Sequence, residues 1–238
     1  MQPFHPGPDP DFPYLNENDY YPFPDPETWN DDIIAIGGNL SPGMLISAYE
    51  QGIFPWYNEG DPVIWQSPDP RFVLFPEKLH VSLSMRKILK TKTFNITFDA
   101  DFSGVINGCA QVERPNQGGT WISNDIIEAY TELHRLGWAH SAEAWQDGEL
   151  AGGCYGILMG RAFFGESMFA KKSNASKAAF LTLAEKLFES GAAFIDCQSP
   201  TKHLASLGGE VMPRREFLSL LRNCIHQCRI QGALYSNE

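Results

Sequence analysis

The chain has 238 residues, 43% hydrophobic and 13% aromatic, which is enough to fill a core and unlike a disordered composition. Its formal charge of −11 argues against a general nucleic-acid binder, because affinity for phosphate backbones comes chiefly from Lys and Arg. No run approaches the roughly 18 apolar residues of a membrane helix, and the N-terminal segment lacks the basic and apolar stretches of a secretory signal, so a cytoplasmic protein without membrane contact is expected.

Residues 1–30 are read as a Pro-rich extended strap, since eight of the 17 prolines fall in the first 26 residues and prevent a regular ladder or helix. A small N-terminal domain of mixed α/β character is expected over 31–95. There Ser41 as N-cap and Pro42 at the first helical position start a helix that ends at Gly52. A loop-and-strand segment follows, and its Phe54, Trp56, Tyr57 and Trp65 either form a small core or line a ligand cleft. From Lys78 to Phe98 there is no acidic residue, and Arg86, Lys87 and Lys90 fall within one helical turn. Such a basic edge suits a phosphate strand, and a solvated helix face is its plain alternative.

Residues 96–238 are expected to form the larger domain. A helix runs from Ser123 to Leu136 with Ile126, Ile127, Tyr130, Leu133 and His134 on its apolar side and Gly137 as its stop. Three strands follow, joined by turns at Asp147-Gly148 and near Gly160, as an antiparallel meander. Next come a helix over 174–190, a strand through AAFIDCQ, a short segment at 203–207 and a helix from Arg214 to about Gln227. The expected class is α+β, and the order of three antiparallel strands, helix, strand and helix resembles the acyl-transferase architecture of the GNAT superfamily. An acetyl-CoA site would need a glycine-rich loop before the central helix, and FAKKSNASK has no glycine.

Two strands of this region carry polar residues inside apolar runs, namely Glu166 in one, Asp196 and Gln198 in the other. An ionised carboxylate there must be paired, hydrogen-bonded or facing a cleft, so the pair of strands marks either a site or a satisfied structural charge. Cys109, Cys154, Cys197, Cys224 and Cys228 are odd in number and dispersed, which predicts reduced thiols. No zinc-type partner accompanies the Cys224/Cys228 pair, so no metal is expected. Strand alternation turns Cys197 to the face opposite Asp196 and Gln198, toward packing rather than chemistry.

GIFPWY at 52–57, SPDPR at 67–71, GTWIS at 119–123, EAY at 128–130, GESMF at 165–169, NASK at 174–177, IDCQ at 195–198, ASLG at 205–208 and PRR at 213–215 together resemble the leucyl/phenylalanyl-tRNA–protein transferase family over roughly residues 12–225. The resemblance implies a monomer without cofactor that moves Leu or Phe, and also Met, from aminoacyl-tRNA to proteins beginning with Arg or Lys, marking them for N-end rule degradation. It implies that Gln198 holds the acceptor's amino group, that Asp196 polarises that contact, and that Glu166 positions the acceptor or the terminal adenosine. The amino-acid pocket falls on Cys154, Phe163, Phe180, Leu183 and Ile195; Trp56 and Trp121 contact the adenosine; and Arg86, Lys87 and Lys90 lie along the tRNA. Departures from the family are Cys154 in place of a methionine, Asn39 in place of an aspartate, and fewer arginines in the basic run. Alternation also puts Phe163 and Ile195 opposite Glu166 and Asp196, which requires either a bulge near Gly165 or a pocket opening at the strand ends.

Overall fold

In this computed structural model the described residues are 9, 11–112 and 121–225; Cys228, Gln227 and the first two residues of GTWIS lie outside them. Residues 11–25 run without helix or strand along helix α1 (Pro42–Glu50), whose residues through Tyr49 are all buried. A strand-free segment must find other partners for its backbone groups. Here they come from side chains of α1 and its flanks: Ser41 Oγ accepts from Leu15 N (3.1 Å), Ser47 Oγ from Tyr21 N (2.9 Å) and Gln51 Oε1 from Phe23 N (3.0 Å). Ser41 therefore does not cap α1 with its side chain, as its position predicts; the strap takes its oxygen instead. Asn39 Nδ2 donates to the carbonyls of Phe12 (3.0 Å) and Pro13 (3.2 Å), a role an aspartate could not fill. Close approach of the strap needs Gly43, because a Cβ there would lie 2.4 Å from the Asn16 carbonyl oxygen.

Strands β1 (Ile33–Ile36), β2 (Phe54–Pro55) and β3 (Ile64–Gln66) form a three-stranded antiparallel sheet in the order β1-β3-β2. The chain then enters a seven-stranded sheet. Its members are β4 (Arg71–Leu74), β5 (Asn95–Phe98), β6 (Ala139–Gln146), β7 (Glu149–Met159), β8 (Ala162–Ala170), β9 (Phe194–Asp196) and β10 (Glu210–Met212), in the order β10-β4-β9-β8-β7-β6-β5. The two sheets thus part between Gln66 and Arg71 and not at 95, because Arg71–Leu74 pairs with β9 and β10. Strands β6 to β8 are the expected meander, and β9 runs parallel to β8.

Side chains alternate across this sheet into two cores. One face packs Tyr155, Phe164 and Phe194 with residues of helices α1, α3 (Phe102–Ala110), α4 (Asn124–Arg135) and α7 (Arg214–Ile225). The other packs Cys154, Phe163 and Ile195 with α5 (Ala175–Glu189) and with Met85 of the basic helix α2 (Leu83–Lys90). A short helix α6 (Lys202–Ser206) follows β9. Two irregularities near the middle of the sheet prepare a site. Tyr155 faces Ser167 while the next residue, Gly156, faces Gly165, so Glu166 is the extra residue of a bulge in β8. Gly156 is required opposite it, since a Cβ would come 2.1 Å from the Phe164 carbonyl. Second, β9 stops pairing with β8 at the Phe164/Asp196 position, while β8 continues to Ala170.

Candidate active site

Where β8 and β9 separate, a cavity of about 420 Å³ opens between them, lined from one sheet face by Cys154, Phe163, Met168 and Phe180 and from the other by Tyr155, Glu166, Phe54, Trp56 and Trp121. Bulge and strand end act together, which resolves the conflict that strict alternation posed. Gln198 reaches the same cavity through a left-handed backbone (φ 61°) just beyond β9. Cys197 packs on the face opposite Asp196, as alternation predicts, and lines the cavity from that apolar side. Its thiol and that of Cys154 are both raised by burial, which keeps them protonated and poor nucleophiles.

The three polar residues singled out in the sequence occupy different environments. Asp196 is 0% exposed and does not line the cavity. Its carboxylate takes Nε of Arg71 at 3.0 and 3.1 Å and Nη2 at 2.7 Å, and its Oδ1 accepts the backbone N–H of Gln198 at 2.8 Å. Arg71 is itself 0% exposed, donates through Nη1 to the Gly52 carbonyl (3.1 Å), and lies between the rings of Phe54 (4.8 Å) and Phe217 (4.5 Å). Such a fully desolvated pair holds its neighbours in one geometry. Asp196 therefore acts on Gln198 through the main chain.

Glu166 faces the cavity at 9% exposure. Its Oε1 accepts from Tyr49 Oη (2.7 Å) and Gln198 Nε2 (2.9 Å), its Oε2 from Tyr130 Oη (3.3 Å), and the two phenols are 2.5 Å apart. Burial raises this carboxyl to about 7; nearby Asp196 also raises it, while the two tyrosines and Arg71 oppose the rise. Both tyrosines are pushed up, first by burial and then by the Glu166 charge, so they remain donors. With Nε2 of Gln198 committed to Glu166, its carbonyl oxygen is left for a donor in the cavity.

The apolar pocket divides. Cys154, Phe163 and Phe180 line the cavity with Met168, whereas Leu183 and Ile195 are fully buried and do not reach it. Leu183 is almost one helical turn beyond Phe180, and Ile195 lies beneath Gly165, where a Cβ would meet its Cγ2 at 4.0 Å. Arg86, Lys87 and Lys90 are exposed on α2 and do not line the cavity. Sequence reading gave no role to Arg71, Tyr49, His203 or Met168, and saw Tyr130 only as part of an apolar helix face. A usable signal existed for Arg71, a cation opening the apolar run RFVLF, by the logic that singled out Asp196.

A model described as the leucyl/phenylalanyl-tRNA protein transferase matches residues 73–222, and the N-terminal domain model of the same family matches 38–69. The chain belongs to the leucyl/phenylalanyl-tRNA protein transferase family. It is similar to the leucyl/phenylalanyl-tRNA–protein transferase of Myxococcus xanthus, 52% identical over 211 residues (88% of this chain, 90% of that one), and of Desulfatibacillum aliphaticivorans, 51% identical over 211 residues (88% and 91%). That of Saccharophagus degradans is 49% identical over 230 residues (94% of each). A leucyl/phenylalanyl-tRNA–protein transferase joins an ester-activated amino acid to a protein amine, and in this chain an apolar hollow adjoins a hydrogen-bonding wall.

Proposed function

We infer that the chain moves Leu, Phe or Met from aminoacyl-tRNA to proteins whose first residue is Arg or Lys, as a cytoplasmic monomer serving N-end rule degradation. One observation carries this reading: Cys154, Phe163, Met168 and Phe180 meet Glu166 and Gln198 in a single cavity. Aminoacyl-tRNA is already activated, so aminolysis needs chiefly a neutral amine, correct approach and a proton path. The apolar side would take the esterified side chain, and methionine follows because an apolar pocket separates side chains of similar size by only about 1 to 3 kcal/mol. The Gln198 carbonyl would accept an N–H of the attacking amine. Glu166, ionised above about pH 7, would attract the cationic side chain of the acceptor.

Trp56 and Trp121 border the same cavity and would hold the terminal adenosine, an indole face being worth about 1 to 3 kcal/mol per stacked base. The exposed cations of α2 would carry the acceptor stem, as that helix packs on α5 behind the apolar pocket. The GNAT-like description of the larger sheet is supported by the β6–β8 meander, helix α5 and the parallel β8/β9 pair. The test is incubation with radiolabelled Phe-tRNA and proteins that differ only in beginning with Arg, Lys or Ala. Label on the first two and none on the third is expected; equal labelling of all three, or of none, overturns the reading.

A further inference from the structure

A protein α-amino group titrates near 7.7–8.0, so at neutral pH the acceptor arrives mostly as ammonium, and something in the cavity must take its proton. Asp196 is sealed behind Arg71. Glu166 already accepts from Tyr49, Tyr130 and Gln198. His203 on α6 is differently placed: it lines the cavity, and its Nε2 is buried without a hydrogen-bond partner among the described residues. A buried polar atom left unpaired on a cavity wall is completed by a water or a ligand atom, or is used in chemistry.

We propose that His203 is the base of the transfer reaction, receiving on Nε2 a proton from the acceptor's α-ammonium group. The proposal rests on the transferase reading. The ammonium gives one proton to Nε2, and the freed nitrogen pair forms the C–N bond to the ester carbonyl carbon. The C–O pair then leaves on the ribose oxygen, which takes a second proton from the nitrogen, and the imidazolium releases the first to solvent. Burial, and then the positive charge of Lys177 on α5, lower the ring below its usual range, so that it is neutral and able to accept at pH 7. The other titratable groups lining the cavity are the Tyr155 phenol from β7, Glu166 from β8, which titrates at about 7, and the thiols of Cys154 and Cys197, both held protonated.

The test is single-turnover transfer from Phe-tRNA to an Arg-initiated peptide by the full chain and by His203→Gln and His203→Ala, between pH 6.5 and 9. At pH 7 both variants are expected to be slower by about 5- to 10-fold, since roughly a tenth to a sixth of the amine is already neutral there, with Phe-tRNA binding within about twofold of the parent, a scale at which the fold is intact. The deficit should shrink steadily toward pH 9, as the amine loses its proton unaided. A deficit that stays constant with pH, rescue by Gln to the parent rate, or an equal loss of Phe-tRNA binding overturns the proposal. If the parent chain transfers nothing to any acceptor, it is the transferase reading that fails instead.

Discussion

The end of β9 and the bulge of β8 each bury a carboxylate a few residues apart in the sheet register, and they solve the same problem in opposite ways. Asp196 is matched by a guanidinium that approaches it through two nitrogens. Glu166 is met by phenols and an amide, neutral donors that leave its charge only partly compensated. The first arrangement fixes geometry and the second leaves a group that titrates near neutrality, at about 7. A charged residue in an apolar strand is thus not one kind of signal. Its partner decides whether the charge is locked or free to titrate.

The sharpest way to break the contrast is at Arg71. Arg71→Ala leaves Asp196 as an uncompensated buried charge and should cost about 3 to 5 kcal/mol in urea unfolding, most of it recovered by adding Asp196→Leu. The Glu166 side is tested by pH. Because its folded value of about 7 lies above the ordinary 4.5, the folded state holds the proton more firmly. Its contribution to stability is fully present below about 4.5 and is lost as pH rises through about 7, by up to about 3 kcal/mol. Glu166→Gln should therefore flatten stability against pH across that window, as read from denaturant midpoints at several pH values. Gln198→Ala separates placement from folding: transfer should fall about 100-fold while the urea midpoint and Phe-tRNA binding hardly move. The smallest effect is expected on α2. Neutralising Arg86, Lys87 and Lys90 to Gln should leave stability unchanged and reduce the slope of log affinity for tRNA against log salt by up to about 3.

Local signals carried the reading far where local physics decides. The Asp147-Gly148 turn and Gly137 punctuate the elements where periodicity placed them, and Glu166 and Gln198 do face one cavity. What escaped depends on partners distant in sequence. Arg71 and Asp196 are 125 residues apart, and Tyr49 reaches Glu166 across 117. Strict alternation points to a bulge near Gly165 or an opening at the strand ends only through its conflict with the family's pocket, and it carries no sign of the left-handed turn at Gln198. Helical spacing could not distinguish Phe180, on the surface of the hollow, from Leu183 in the core behind it. Strand β4 joins the larger sheet by pairing with strands that come more than a hundred residues later, a pairing that no local signal announces.

The strap has a mechanical consequence. It grips α1 through Ser47 and Gln51, and between those two residues stands Tyr49, whose hydroxyl supports Glu166; the next residue beyond Gln51, Gly52, offers its carbonyl to Arg71. Both buried carboxylates are therefore braced by a single turn of helix that an irregular outer segment clamps from behind. Clipping that clamp with a protease would leave the sheet's strands intact yet loosen the groups that brace the cavity.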